Sequence, residues 1–279
     1  MCLNTPKVLG KALSAPSFIR TVKYGSDHLA LQTACHVLQK AAYPTIQLIA
    51  TIHVGEFNYY KKLQKITSQA DLVLHEGIDN QDRRSYNPNN SIYRGIAKKS
   101  KLVTQCSVMS YKNNNYRCCD LSMKVLNQLL YSESPDNQNS AEEKFYSIQQ
   151  KWFDDAKNSD ALLQFNRRTV KSVAFQRLQL IAMGLDPHNN VINTNLNHVV
   201  LDHRNKHVIS NIKQILENEK HQKIAVLYGA AHMPGIANWL LKHGYKFKQE
   251  TMWYDAIHCN PISSGLSDDE ISDQFKRAK

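Results

Sequence analysis

No stretch of this chain carries the run of about 20 apolar residues that a membrane-spanning helix needs. Its apolar segments, such as Ala225 to Tyr228, have the length of single strands. The opening residues, Met1-Cys2-Leu3-Asn4-Thr5-Pro6-Lys7, lack the charged segment and the following apolar segment of a secretory signal. A cytoplasmic protein is therefore expected, with specialised export by another signal as the alternative. No C-x-x-C pair occurs. The six cysteines, Cys2, Cys35, Cys106, Cys118, Cys119 and Cys259, are irregularly spaced and include one vicinal pair. That excludes a zinc ribbon and a thioredoxin motif. Reduced thiols in a cytosolic compartment fit this usage; a nucleophilic cysteine is the weaker alternative.

The chain also lacks zinc-finger and RNA-recognition signatures. Its one dense basic stretch, Lys98-Lys99-Ser100-Lys101, has no interleaved aromatic residues. A net charge of +11 can steer phosphate-rich partners, but the basic residues are dispersed through segments such as Tyr60-Lys61-Lys62-Leu63-Gln64-Lys65. They read as a solvated surface, and neither a nucleic-acid nor a membrane partner is expected.

What is present suits a folded enzyme-sized unit. A chain of 279 residues, 42% of them hydrophobic, can bury a sizeable core as one large domain or two small ones. Residues 1–44 read as a lead-in followed by a helix over 28–41, stopped at Tyr43-Pro44 because the residue before proline avoids the helical region. Thr45 to Ala50 reads as a buried strand. Phe57, Tyr60, Leu63, Ile66 and Ala70 recur at helical spacing, and Leu72-Val73-Leu74 forms a second buried strand. Strand, helix and strand make a βαβ unit, which favours parallel pairing and a right-handed crossover.

Residues 79–92 read as a polar loop and Leu102 to Met109 as a third strand. Asn113 to Asn115 read as a turn, and Asp120 or Ser122 as the cap of a following helix. Residues 123–200 are mostly helical in character, with long helices over 141–157 and 160–183, and would form a cap over one end of the sheet. Residues 198–218 are again helical. Lys223 to Tyr228 is the clearest buried strand of the second half. Pro234 then suits a helix start, and Gly244 its C-terminal cap. Phe247 to Ile257 reads as a final strand, and residues 261–279 as a polar tail, either disordered or a frayed helix. The fold class that follows is α/β: a mixed, largely parallel central sheet flanked by helices, over residues 45–260, with the helical insertion as a cap.

One pattern occurs twice. A buried strand ends, two residues follow Ala50 or Gly229, and a histidine stands before a helix: Ala50-Thr51-Ile52-His53 and Gly229-Ala230-Ala231-His232. Ligands of open α/β sheets bind at the carboxyl ends of strands. Glu76 sits at a third such end. Two imidazoles and one carboxylate can hold a divalent metal with positions left for water and substrate. Such an ion can activate water and polarise a carbonyl. Without a metal, a histidine can serve as general base and Glu76 as acid or orienting group. Taken singly, each of these residues is better explained by structure than by function; taken together, the two readings balance. His203 and His207, four apart beside His198, read as a surface pair. His75 points away from the site if Glu76 points into it, because adjacent strand side chains face opposite ways.

Three stretches resemble the TraB/GumN/Tiki family: Leu48 to Gly55, Ala70 to Gly77, and Val226 to Gly235. That family carries two G-x-x-H-like motifs and a glutamate after a strand opening on Ala-Asp, here Ala70-Asp71 and Glu76. Cys119-Asp120-Leu121-Ser122 and His203-Arg204-Asn205 add to the likeness, which runs over about residues 45–257 and is poor in the middle helical region. One departure is Ala50 where the first motif has glycine. The resemblance implies a metal-dependent hydrolase of Tiki-like type, cleaving a peptide bond with a manganese- or cobalt-type ion, zinc being the alternative. It implies His53, Glu76 and His232 as ligands or catalytic groups, and Arg204 as stabiliser of developing negative charge. For Arg204 a structural salt bridge to a carboxylate such as Asp120 carries equal weight, and Asn205 reads as a helix cap. Peptide or small-molecule substrates are expected. The competing expectations are a metal-free esterase with a histidine base, and a non-enzymatic module binding a peptide or a haem-like ligand.

Overall fold

The computed structural model describes residues 16–77, 92–122, 124–126, 128–129, 169–185, 198–248 and 250–277. The main sheet contains β1 (Ile19–Tyr24), β2 (His28–Gln39), β3 (Thr45–Thr51), β5 (Leu72–His75), β7 (Tyr116–Cys118), β8 (Lys223–Gly229), β9 (Lys246–Phe247) and β10 (Met252–Cys259), while β4 (Val54–Gly55) and β6 (Val103–Thr104) pair with each other. Along the main path the strand order is β1-β2-β3-β8-β5-β7, with β9 and β10 on β2. β3, β8, β5 and β7 run parallel, and β2 pairs antiparallel with β1, β3, β9 and β10. The protein is thus an α/β fold on a mixed sheet with a parallel centre.

Helices cover both faces, and strand alternation decides what meets what. Ile46, Leu48 and Ala50 of β3, Leu72 and Leu74 of β5, and Ile224, Val226 and Tyr228 of β8 pack with one helical layer. That layer comprises α5 (Arg204–Asn218), through Val208, Ile212 and Ile215, and α6 (Met233–Lys242), through Ile236, Ala237 and Leu240. The intervening residues Ile49, Val73, Ala225 and Leu227 pack on α1 (Phe57–Thr67) through Tyr59, Tyr60 and Leu63. With both faces covered, these strands read as continuous apolar runs, as buried parallel strands do. A third cluster covers the antiparallel part. It joins Leu31 and Ile257 to α2 (Ile92–Ser100) and α4 (Val170–Leu185), with the C-terminal helix α7 (Asp268–Arg277) packed against it through Ile271 and Phe275.

Several expectations are corrected. The segment expected as a helix over 28–41 is the twelve-residue strand β2. Its apolar positions follow no two-residue period because it lies between pairing strands and is buried on both faces, so Ala30, Leu31, Ala34, Cys35 and Leu38 are all interior. Only Val103–Thr104 of the segment Leu102 to Met109 is strand, and it leads into the helical turn α3 (Gln105–Val108). The final strand is two, β9 and β10. The βαβ reading gave β3 and β5 as direct neighbours, whereas β8 lies between them and is parallel to both.

The polar tail contains α7. Ser267 and Glu270 there exchange backbone bonds, Ser267 N–H to Glu270 Oε2 at 2.8 Å and Glu270 N–H to Ser267 Oγ at 3.2 Å, a capping box. Ser122 accepts the Val125 N–H as a helix cap, at 3.3 Å. Gly244 ends α6 at φ +87°. Of the expected helical insertion, α4 packs on the antiparallel part of the sheet; the helix over 141–157, and all of the second helix before residue 169, lie outside the described residues, as does the loop at 79–91. No described helix is long and apolar enough to cross a membrane.

Candidate active site at the carboxyl ends of the parallel strands

Register brings the functional side chains together. Thr51 at the end of β3 is opposite Gly229 at the end of β8. His75 at the end of β5 is opposite Leu227 of β8 and Cys118 of β7. The residues just past these ends therefore emerge side by side: His53 after β3, His232 after β8, Glu76 after β5 and Asp120 after β7. This is the edge of an α/β sheet where ligands bind. Arg204, at the start of α5, is buried and reaches the same point.

Arg204 organises the site. Its Nε–H donates to Asp120 Oδ1 at 2.9 Å, and its Nη2 donates to Asp120 Oδ2 at 2.5 Å and to Glu76 Oε1 at 2.8 Å. Its Nη1 lies 3.3 Å from His232 Nε2. A guanidinium has five N–H donors and no acceptor. His232 Nε2 must therefore be the acceptor, and the ring's proton sits on Nδ1, which donates to Asn205 Oδ1 at 2.8 Å. Neutral His232 is held in one tautomer. One Nη1–H of Arg204 is uncommitted by these bonds. Glu76 Oε2 accepts the Gly229 N–H at 2.6 Å.

Electrostatics follow from this arrangement. Burial alone would raise the proton affinity of Glu76, but the Arg204 guanidinium outweighs it, and the carboxyl lies far below the usual carboxylate range. Glu76 is thus held in its ionised form. Burial pushes His232 down to about 4 against the attraction of Glu76. For His53, burial lowers the proton affinity, Glu76 opposes that and Arg204 adds to it. His53 is nonetheless exposed, the combination expected of a ring lining a recess. It stacks at a tilt on Tyr93, centroids 4.5 Å apart. Glu76 and Arg204 act on His53, and His53 in turn acts on Glu76 and His232. His75 turns away from this group: its ring packs on Tyr111 at 4.6 Å.

No family model, curated protein or solved structure matches the chain.

The expected metal ligands can be tested against the geometry. Glu76 Oε1 and His232 Nε2 are 3.6 Å apart, but the single lone pair of His232 Nε2 already accepts from Arg204 Nη1 at 3.3 Å, so an ion there would have to displace that bond. Among the described residues no group of three His, Cys, Asp or Glu side chains could hold a metal. The three side chains therefore do not fit as ligands of one ion while Arg204 lies between them.

Two members of the site had been read from sequence only as local caps or ion-pair partners. Asp120, just past β7, clamps Arg204 beside Glu76. Asn205 accepts the His232 Nδ1–H instead of capping α5. The only sequence signal for either was a polar residue next to an element end. Among the described residues no disulfide joins the five cysteines. Burial pushes Cys35, Cys119 and Cys259 up to about 12, which leaves those three protonated and unsuited to nucleophilic attack.

Close backbone approach makes one of these contacts testable. A Cβ on Gly235 would lie 2.6 Å from Asn205 Nδ2. The Gly235→Ala variant must push the carboxamide aside and break its bond to His232. Replacing a helical glycine by alanine gains about 0.5–1 kcal/mol, while the lost hydrogen bond costs about 0.5–1.5 kcal/mol. The melting temperature should hardly move, while the Nδ1 15N shift of His232 moves as that N–H loses its acceptor, the ring keeping the tautomer that Arg204 imposes. An unchanged shift would show that Asn205 does not hold the His232 ring.

Proposed function

We propose that this recess is the active site of a hydrolase that directs water at an acyl bond, a peptide or a small ester. The observation that carries the reading is the meeting of His53, Glu76 and His232 with Arg204 at one sheet edge. His53 is the general base. It is exposed to solvent, and no hydrogen bond to its ring is seen among the described residues, so a ring nitrogen can take a proton from water. General bases of this kind contribute about 10²–10⁴ in rate. The uncommitted Nη1–H of Arg204 is the donor for the developing oxyanion. Glu76 and Asp120 hold that guanidinium in place, and Asn205 and Arg204 hold His232. The likeness of the three motifs to the TraB/GumN/Tiki family supports the same assignment. Reduced thiols suit a reducing compartment, and a cytoplasmic location belongs with this reading.

A second reading, metal-dependent peptide hydrolysis, is favoured by charge. Two carboxylates against one guanidinium leave a negative site beside two imidazoles, the neutral form in which histidine binds metals. It requires Arg204 to withdraw from His232. One experiment separates the two. The chain, purified without chelator, is assayed on nitrophenyl esters and quenched peptides with EDTA, manganese or cobalt, alongside elemental analysis of wild type, His53→Ala and His232→Ala. The first reading expects chelator-resistant turnover that falls about 10²-fold or more in His53→Ala with folding intact. Stoichiometric metal lost in both variants would favour the second reading, and turnover unchanged in His53→Ala would remove both.

A further inference from the structure

A second histidine pair lies outside the recess. His28 opens β2 and His258 lies near the end of β10. The register sets His258 opposite Ala30, which makes His28 its diagonal neighbour on one face of the sheet. His28 Nε2 and His258 Nδ1 are 3.0 Å apart, with ring centroids at 5.0 Å and a tilt of 45°. Both rings are half-buried and open to solvent on one side.

The same face carries a carboxylate. Gln32, four residues from His28, donates to Asp255 Oδ1 at 2.6 Å and to the Tyr24 hydroxyl at 2.8 Å. Tyr24 donates to the same Asp255 oxygen at 3.2 Å, and its ring lies 5.2 Å from that of His28. The negative charge thus stands one tyrosine ring away from the imidazoles.

The nitrogen spacing is informative. With histidine–metal bonds of about 2.0–2.1 Å, an ion equidistant from both nitrogens would subtend about 94° between them. That is the angle of two adjacent positions in a square-planar or octahedral sphere, the geometry of copper(II) and nickel(II), and it is narrower than a tetrahedral zinc angle. We infer that His28 and His258 form a two-histidine site for a divalent late transition-metal ion of the copper or nickel type. The ion stands off the line between the two nitrogens, the ring hydrogen now bonding them leaves to solvent, and water fills its other positions. This site is independent of the hydrolase reading and uses none of its residues.

The experiment is a titration of chelator-treated protein with copper(II), followed by electron paramagnetic resonance. Wild type should bind an ion with nitrogen superhyperfine structure from imidazole. His28→Asn and His258→Asn should each lose that ion, while His53→Ala and His232→Ala keep it. Because a variant can misfold, the wild type is also followed by NMR. Substoichiometric copper should broaden the ring signals of His28 and His258 before those of the other histidines. Equal copper uptake in the two Asn variants, or broadening that begins elsewhere, overturns the assignment.

Discussion

Replacing Arg204 by methionine should cost about 3–5 kcal/mol of folding stability, the range found when one partner of a buried ion pair is removed. Arg204 is 6% exposed, and its guanidinium is the shared cation of Asp120 and Glu76. Its removal leaves two carboxylates close together, away from water, with no countercharge. Domains of this kind have a total of about 5–15 kcal/mol, so the loss is a large share of it. Urea denaturation at neutral pH would show the midpoint falling steeply. Arg204→Lys should fall between, because an ammonium is a point charge and cannot span both carboxylates and His232 in a planar fork. The triple change Arg204→Met, Glu76→Gln, Asp120→Asn should recover most of the stability, since the penalty arises from the orphaned charges and amides can still bond Gly229 and Leu121. A loss under about 1 kcal/mol for Arg204→Met would be typical of an exposed pair and would mean that water reaches these carboxylates.

The Arg204 cluster also shows where sequence reading reached and where it stopped. β3, β5 and β8 were legible because each is a largely apolar run, broken in β3 only by Gln47, and bounded by a turn or by the site itself, and so were the three residues just past them. β2 has a similar run, yet its alanines, glutamines and leucine spacing also suit a helix. A strand buried on both faces loses the two-residue alternation that would have distinguished it. β7 is three residues long with exposed side chains, too short for any periodic signal. What placed Asp120 in the site was the parallel pairing of that short strand with β5. Likewise, His53 and His232 neighbour each other because β8, about 180 residues after β3 in the chain, aligns with it in parallel. Local propensity carries no trace of such a pairing. The salt bridge between Arg204 and Asp120 was one of two readings open at the sequence level. The structure adds the contacts to Glu76 and His232, so the arginine has both a structural bond and a place at the recess.

The second large effect is a loss of stability on mild acidification, dominated by His232. Its folded-state value is about 4, against about 6.5 for an unperturbed imidazole. The folded protein therefore binds fewer protons than the unfolded chain between these two values, and stability falls as pH falls through that window. The full difference is about 3 kcal/mol, lost progressively between about pH 6.5 and pH 4 and constant below. Glu76 adds to this loss, with the same sign, only at the acid end of the window, below about pH 5. Its folded-state affinity is depressed far below the ordinary carboxylate range, so its own contribution is lost only once the unfolded carboxylates begin to protonate. His36, His53 and His75 are also shifted down by burial and act with the same sign, which makes the total slope steeper than His232 alone would give. The contribution of His232 is isolated by comparison with His232→Asn, where the amide can still bond Asn205 but cannot titrate. Stability from urea unfolding, measured from pH 7.5 down to pH 4, should differ between the two proteins by an amount that shrinks by about 3 kcal/mol across the range. A constant difference would mean that His232 takes up its proton without leaving Arg204. The geometry forbids that, because protonated Nε2 has no lone pair to accept the Nη1–H and two cations would face each other at 3.3 Å.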